Sequence, residues 1–292
     1  MIPLLIMVAI SWVPMMGLAQ TGLNYNQFGQ LRNSFNGSLN LMDPDGGAAL
    51  VGRLQWVGLD DAPKSYWASG HVGVNKIGIV GVDLKQTNFG VVRDREVSGY
   101  IASALKLGEN QSIGFSVGGG VLMHKEEYTD LDIQDPAFAE EYAHNKGFIR
   151  LDVSYVKDNK YYIGLSAPRM LLSKGNQDLE HDFQRVYYFT GGALFPVNSV
   201  LHIRPSVMVS YLEQDITRFD VNALAFFKER LGVGLGVQNQ GNLSGLFQFN
   251  IGDFGIGYSY QFNTDGAAST RSIANNTHEI GLRYRVGGMN ML

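Results

Sequence analysis

The chain contains no cysteine, which excludes disulfides and thiolate chemistry. It has no basic excess. Its formal net charge is −4, so nothing supplies the electrostatic footprint of a nucleic-acid binder. Beyond residue 20 no apolar run approaches the roughly 20 residues that a transmembrane helix needs. Catalytic signatures are missing too. No G-x-S-x-G elbow or Walker loop occurs, and the six histidines form no short metal-ligand pair. Asp130, Asp132 and Asp135 lack the glycine and closing glutamate of an EF-hand. The pairs Asp60-Asp61, Glu126-Glu127 and Glu140-Glu141 fall in expected loops and read as solvated faces. We therefore expect no enzyme activity, cofactor or metal. Proline is scarce, at 8 residues, whereas glycine is abundant, at 36.

What is present is alternation. In Asp253–Asn263, Phe254, Ile256, Tyr258, Tyr260 and Phe262 share one face of an extended strand, and Gly255, Gly257, Ser259 and Gln261 share the other. Leu201, Ile203, Pro205, Val207 and Val209 alternate with His202, Arg204, Ser206, Met208 and Ser210 in the same way. The pattern predicts strands over Ala48–Val57, Tyr66–Val74, Ile77–Thr87, Val97–Leu107, Ser112–His124, Phe148–Val156 and Tyr161–Ala167. It continues over Val186–Phe195, Leu201–Gln214, Phe219–Lys228, Leu231–Gln238, Leu243–Asn250, Phe254–Phe262 and Thr277–Val286.

Their connections have a parity. Asn75-Lys76, Asp158-Asn159-Lys160, Glu229-Arg230 and Gly252-Asp253 are tight, with hairpin-type turn residues in most. Gly58–Ser65, Lys125–Lys146, Pro168–Gln184 and Asn263–Asn276 are longer. These features predict an all-β fold: a transmembrane antiparallel β-barrel of about 14 strands, with short periplasmic turns and long extracellular loops. Apolar faces then meet outer-membrane lipid. Charges such as Arg150, Asp152, Arg204, Asp220, Glu279, Arg283 and Arg285 line the lumen, because an Arg or Lys at mid-depth in lipid costs about 2–4 kcal/mol. Inner glycines leave room for a plug, a loop or an entering peptide.

Met1–Ala19 has the apolar run and small residues (Gly17, Ala19) of a signal peptide, without Lys or Arg in its first part. Cleavage near residue 19 would leave 20–292 as one barrel domain. Tyr25–Gly37 is polar, rich in asparagine and shows no clear alternation. Trp56, Tyr66 and Trp67 read as interfacial aromatics rather than a ligand stack. Lys125–Lys146 interleaves Tyr128, Leu131, Ile133, Phe138 and Tyr142 with acids, which suits either a protein-binding surface or a loop folded into the lumen. Leu171 and Leu172 begin the next long loop and join them as candidate partner-binding residues.

Several motifs, in order, resemble the PorP/SprF family of outer-membrane proteins associated with type IX secretion and gliding in Bacteroidetes. Asn33-Ser34-Phe35-Asn36-Gly37 is similar to the family's N-P-A-[FY]-x-G, with Ser34 in place of proline. Gln55 and Trp56, followed by Ala62 and Pro63, resemble its Q-W-x-G-x-x-x-A-P block. Pro168 closes Y-Y-I-G-L-S-A-P, Tyr187 and Tyr188 fit R-H-Y-Y, and Pro205 fits L-K-x-x-P-S. His278 and Glu279 open H-E-I-G-L-R-Y, and His278 is expected to pair inside the barrel. The C-terminal Gly287–Leu292 departs from the usual aromatic barrel end. The resemblance implies a partner role at the outer membrane: binding secreted surface proteins through their C-terminal secretion domains, or type IX translocon subunits. On the residues alone, a channel for small solutes, hydrophobic ones included, is the alternative.

Overall fold

The computed structural model describes residues 25–128, 142–172, 185–212, 216–239, 241–263 and 276–287. The first strands are β1 Gly46–Gln55, β2 Lys64–Val74, β3 Gly78–Phe89, β4 Val92–Gly108, β5 Gln111–Glu126, β6 Tyr142–Lys157 and β7 Tyr161–Leu171. There follow β8 Val186–Ala193, β9 Phe195–Pro196, β10 Leu201–Leu212, β11 Ile216–Phe227, β12 Leu231–Gln238, β13 Asn242–Ile251, β14 Phe254–Asn263 and β15 Thr277–Arg285. Neighbours in sequence pair antiparallel, and β15 pairs with β1 from Gly47–Arg285 to Gln55–Thr277, which closes the sheet. β8 and β9 are two pieces of one strand. Both pair with β10 in a single register, Ser206 opposite Gly192 and Ile203 opposite Phe195. The ladder lapses between them at Pro205, which has no N–H to donate. The fold is thus a closed barrel of fourteen strands, in the order the alternation predicts.

Alternation also sets the facing. Phe254 is 57% exposed and Leu235 70%, on the outside, whereas Ser259 and Glu279 are fully buried in the lumen. A closed sheet with a continuous apolar exterior and a charged interior fits a bilayer rather than water. β3 faces cleanly, with Ile79, Gly81 and Asp83 inward and Val80, Val82 and Leu84 outward. The turns between strands are tight. Asp158 and Asn159, like Lys228 and Glu229, both carry positive φ, the backbone of a type I′ turn whose twist matches paired strands.

The largest departure from the expected boundaries is at the loop side of β4, β5 and β6. These strands run to Val92, Glu126 and Tyr142, beyond the expected Val97, His124 and Phe148. In the added stretch the outward positions are Arg93, Arg95, Lys125 and Asn145 with the small Ala143 and Gly147, so the large apolar alternation stops before the sheet does. Apolar periodicity marks the part of a strand that crosses hydrocarbon. It says nothing of a part that stands clear of it.

Candidate functional site

The barrel is filled by the segment that precedes β1. Tyr25, Phe28, Leu31, Phe35, Leu39 and Met42 recur at intervals of three or four residues, and all are buried. Turns around Tyr25–Leu31 lead into short 3-10 segments at Arg32–Ser34 and Gly37–Met42, which stack these side chains along one rod. The upper four pack against Ala49, Val51, Trp67, Val186, Tyr188 and Met208 of the wall. Leu39 and Met42 pack against Val156, Tyr162 and Leu194. Each such side chain is worth roughly 1.5–3 kcal/mol when buried. The polar residues between them are buried as well, Asn26, Gln27, Gln30, Asn36, Ser38 and Asn40 among them.

Wall side chains hold this plug at three levels. Towards the loop side, the Glu279 carboxylate accepts the Asn26 N–H at 2.9 Å and the Gln27 N–H at 3.0 Å, and it meets Arg53 at 3.5 Å. Asn222 and Gln238 donate to the Asn26 carbonyl and side chain, at 2.6 and 3.1 Å. Burial, and then the nearby Glu279 charge, push the Tyr25 phenol up, so it stays protonated. At mid-height the Gly37 N–H donates to Asp152 at 3.0 Å, and Asp152 and Asp83 share Arg150 at 3.2 and 2.6 Å. The Asn36 amide donates to the Val153 and Leu165 carbonyls at 3.1 and 3.0 Å, and Ser38 bonds Ser154 at 2.8 Å. Towards the turn side, Asp43 pairs with Arg32 at 3.3 Å and with Arg285, while Arg283 donates to the Gln30 carbonyl at 3.1 Å. The fit is close: a Cβ on Gly257 would overlap the Gln27 and Gln30 amides. Cavities left between plug and wall, beside Arg32 and Asp43 and beside Gln30 and Arg204, measure about 10 Å³ each. That is space for a single water.

Many residues singled out from the sequence meet this plug or the loop-side rim. Phe35, Asn36 and Gly37 lie in the plug, and Glu279 is its loop-side anchor. Tyr188 faces inward, with its ring edge 5.1 Å from Phe35. Pro168 sits in a bulge where Pro168 and Arg169 oppose the single residue Arg150, which turns Arg169 onto Glu96 at 2.6 Å. Gln55, Trp56, Ala62 and Pro63 form a folded loop. The Gln55 N–H donates to the Pro63 carbonyl at 3.0 Å, Trp56 stacks edge-on with Phe89, and the Gly90 N–H donates to the Asp61 carbonyl at 3.0 Å. Pro205 and Tyr187 face outward, the latter beside Tyr211.

Two expected facings are corrected. Trp67 is not interfacial; it is 1% exposed and packs on Tyr25, because its neighbour Tyr66 takes the outward position. His278 does not pair inside the barrel. It alternates outward from Glu279, and its Nδ1 lies 2.8 Å from the Tyr258 hydroxyl.

Of the candidate loop residues, Leu131, Ile133 and Phe138 lie outside the described residues, as does the side chain of Tyr142. So do Met1–Ala19. Tyr128 donates to the Glu126 carboxylate. Leu171 packs against Leu122 and Phe148, and Leu172 is exposed. On the same rim His124 lies between Asp94 at 2.7 Å and Glu126 at 3.4 Å. Among the described residues no group of three or more His, Asp or Glu is arranged to hold a metal.

A family model described as "Type IX secretion system membrane protein PorP/SprF" matches residues 17–284 of the chain. A search of curated protein sequences finds no match. Among solved structures, the outer membrane protein Omp33 of Acinetobacter baumannii aligns at 8% identity and a TM-score of 0.49, covering 84% of this chain and 99% of that one. The toluene transporter TbuX of Ralstonia pickettii aligns at 11% identity and a TM-score of 0.47, covering 85% and 93%. The monoaromatic hydrocarbon channel CymD aligns at 10% identity and a TM-score of 0.48, covering 92% and 95%. At this distance no cargo carries over from them.

Proposed function

The chain belongs to the PorP/SprF family of type IX secretion system membrane proteins, and from that membership we propose a non-enzymatic outer-membrane barrel that binds protein at its loop side. Its partner is an exported surface protein, held through a C-terminal secretion domain, or a subunit of the translocon. The supporting observation is the plug. A lumen filled by the chain's own residues, and tied by carboxylates at three levels, is a poor conduit. Function then falls to the rim, where β4, β5 and β6 project, Leu172 lies and Tyr128 stands within the candidate stretch Lys125–Lys146.

The test is affinity purification from outer membranes with identification of bound chains, for the full chain and for a variant trimmed within 129–141. The expected result is recovery of an exported surface protein or translocon subunits by the full chain, reduced by trimming. Recovery of neither, together with steady conductance of the full chain in planar bilayers, would overturn the reading in favour of a solute channel.

A further inference from the structure

The outer wall carries an apolar furrow with a cavity volume of about 650 Å³. The strand registers explain it. Ala102, Ser116, Asp152, Ser166 and Tyr188 stand opposite one another on β4 to β8. All five turn their side chains into the lumen, so only their backbone floors the outside. Ile101, Val117, Leu151 and Ala167 form one bank, which ends at Tyr187. Ser103, Phe115, Val153 and Leu165 form the other. Ala167 and Ser103 are the small members of these banks, and each opens a notch.

The floor is held from within. The Asn36 amide bonds the Val153 and Leu165 carbonyls, and the Gly37 N–H bonds Asp152. The plug therefore fixes the wall at the very place where the furrow crosses it.

Dimensions narrow the occupant. Rows two residues apart on a strand are separated by about 7 Å, and five adjacent strands span about 19 Å. A helix with its side chains is about 10–12 Å across and does not enter. A further strand finds no edge, because the wall's backbone groups already pair in the ladder. Ile101, Phe115, Val117 and Leu165 are about half exposed on the lipid side, and polar surface in the furrow is minor. Its Tyr187 end lies beside Tyr211, whose ring centroid is 6.3 Å away, near the loop-side ends of β8 and β10. Paired tyrosines at that level suit a bilayer interface.

We propose that this furrow holds one acyl chain of an outer-membrane lipid, with the head group at the Tyr187 end. The chain runs diagonally through the bilayer, because the furrow crosses tilted strands at right angles.

The test is native mass spectrometry of the barrel extracted from outer membranes in a mild detergent. Wild type is expected to retain a lipid through detergent stripping. So is the control Ala223→Phe, which adds an aromatic ring to an exposed position on β11, outside the furrow. The double variant Ser103→Phe, Ala167→Phe is expected to lose it while keeping its heat-modifiable gel mobility. Should the double variant not fold, Ala167→Leu alone makes a smaller filling and is expected to weaken retention. Equal retention by wild type and a folded filled variant would overturn the proposal, as would a wild type that carries no lipid.

Discussion

The plug and the loop-side rim use the same residue types in opposite surroundings. Around the plug, Glu279 meets Arg53, and Asp152 and Asp83 share Arg150, with every partner buried. On the rim, Arg93 pairs with Glu127 at 2.8 Å and Lys125 with Glu127 at 3.2 Å, all partly open to solvent. A buried pair costs dearly when one partner is removed, because the other charge is stranded. An exposed pair is worth about 0–1 kcal/mol. Charge at the plug therefore fixes structure, whereas charge at the rim contributes little to it.

The sharpest contrast should come from Glu279→Ala. It removes the carboxylate that Arg53 and two plug N–H groups share, and a loss of about 3–5 kcal/mol is expected, read as a lower temperature for the heat-induced gel shift. A wild-type transition in that variant would erase the distinction between the regions. Phe35→Ala should follow, at about 3 kcal/mol, since the ring fills the space against Tyr188 and Tyr25. Its companion readout is protease cleavage within 25–45, expected to rise. Gly257→Val drives a side chain into Gln27 and Gln30, and about 1–3 kcal/mol of overpacking is expected, with small conductance events in planar bilayers as the plug loosens. Arg93→Gln on the rim should change the thermal transition least, by at most about 1 kcal/mol. A larger drop there would mean that the projecting strands are part of the barrel's stability.

The sequence spoke clearly wherever lipid imposes a rule. Phe254, Ile256, Tyr258, Tyr260 and Phe262 had to face outward together, and the fourteen strands emerged in order from that requirement. It spoke less where lipid is absent. The Tyr25, Phe28, Leu31, Phe35, Leu39 and Met42 spacing is a helical signal. It is masked by Asn26, Gln27, Gln30 and Asn36, which look solvated but pack against a polar lumen. Reading that three-to-four spacing, rather than strand alternation, would have located the plug. The adjacent aromatics Tyr66 and Trp67 carried no facing information by themselves, and which one meets Tyr25 depends on the plug. From Arg95 towards the loop end of β4 the outward side chains are charged, so strand ends above the bilayer left no periodic trace. Glu279 was legible as an inner charge, but its two plug N–H partners were not, being more than 250 positions distant.

Because the chain has no cysteine, one pair of substitutions tests the filled lumen directly. The hydroxyls of Ser38, in the plug, and Ser154, in the wall, lie 2.8 Å apart. In Ser38→Cys, Ser154→Cys, mild oxidation of intact outer membranes is expected to join the two positions, seen as a gel shift reversed by reductant. Two thiols that stay open to alkylation after oxidation would contradict a plug seated in the barrel.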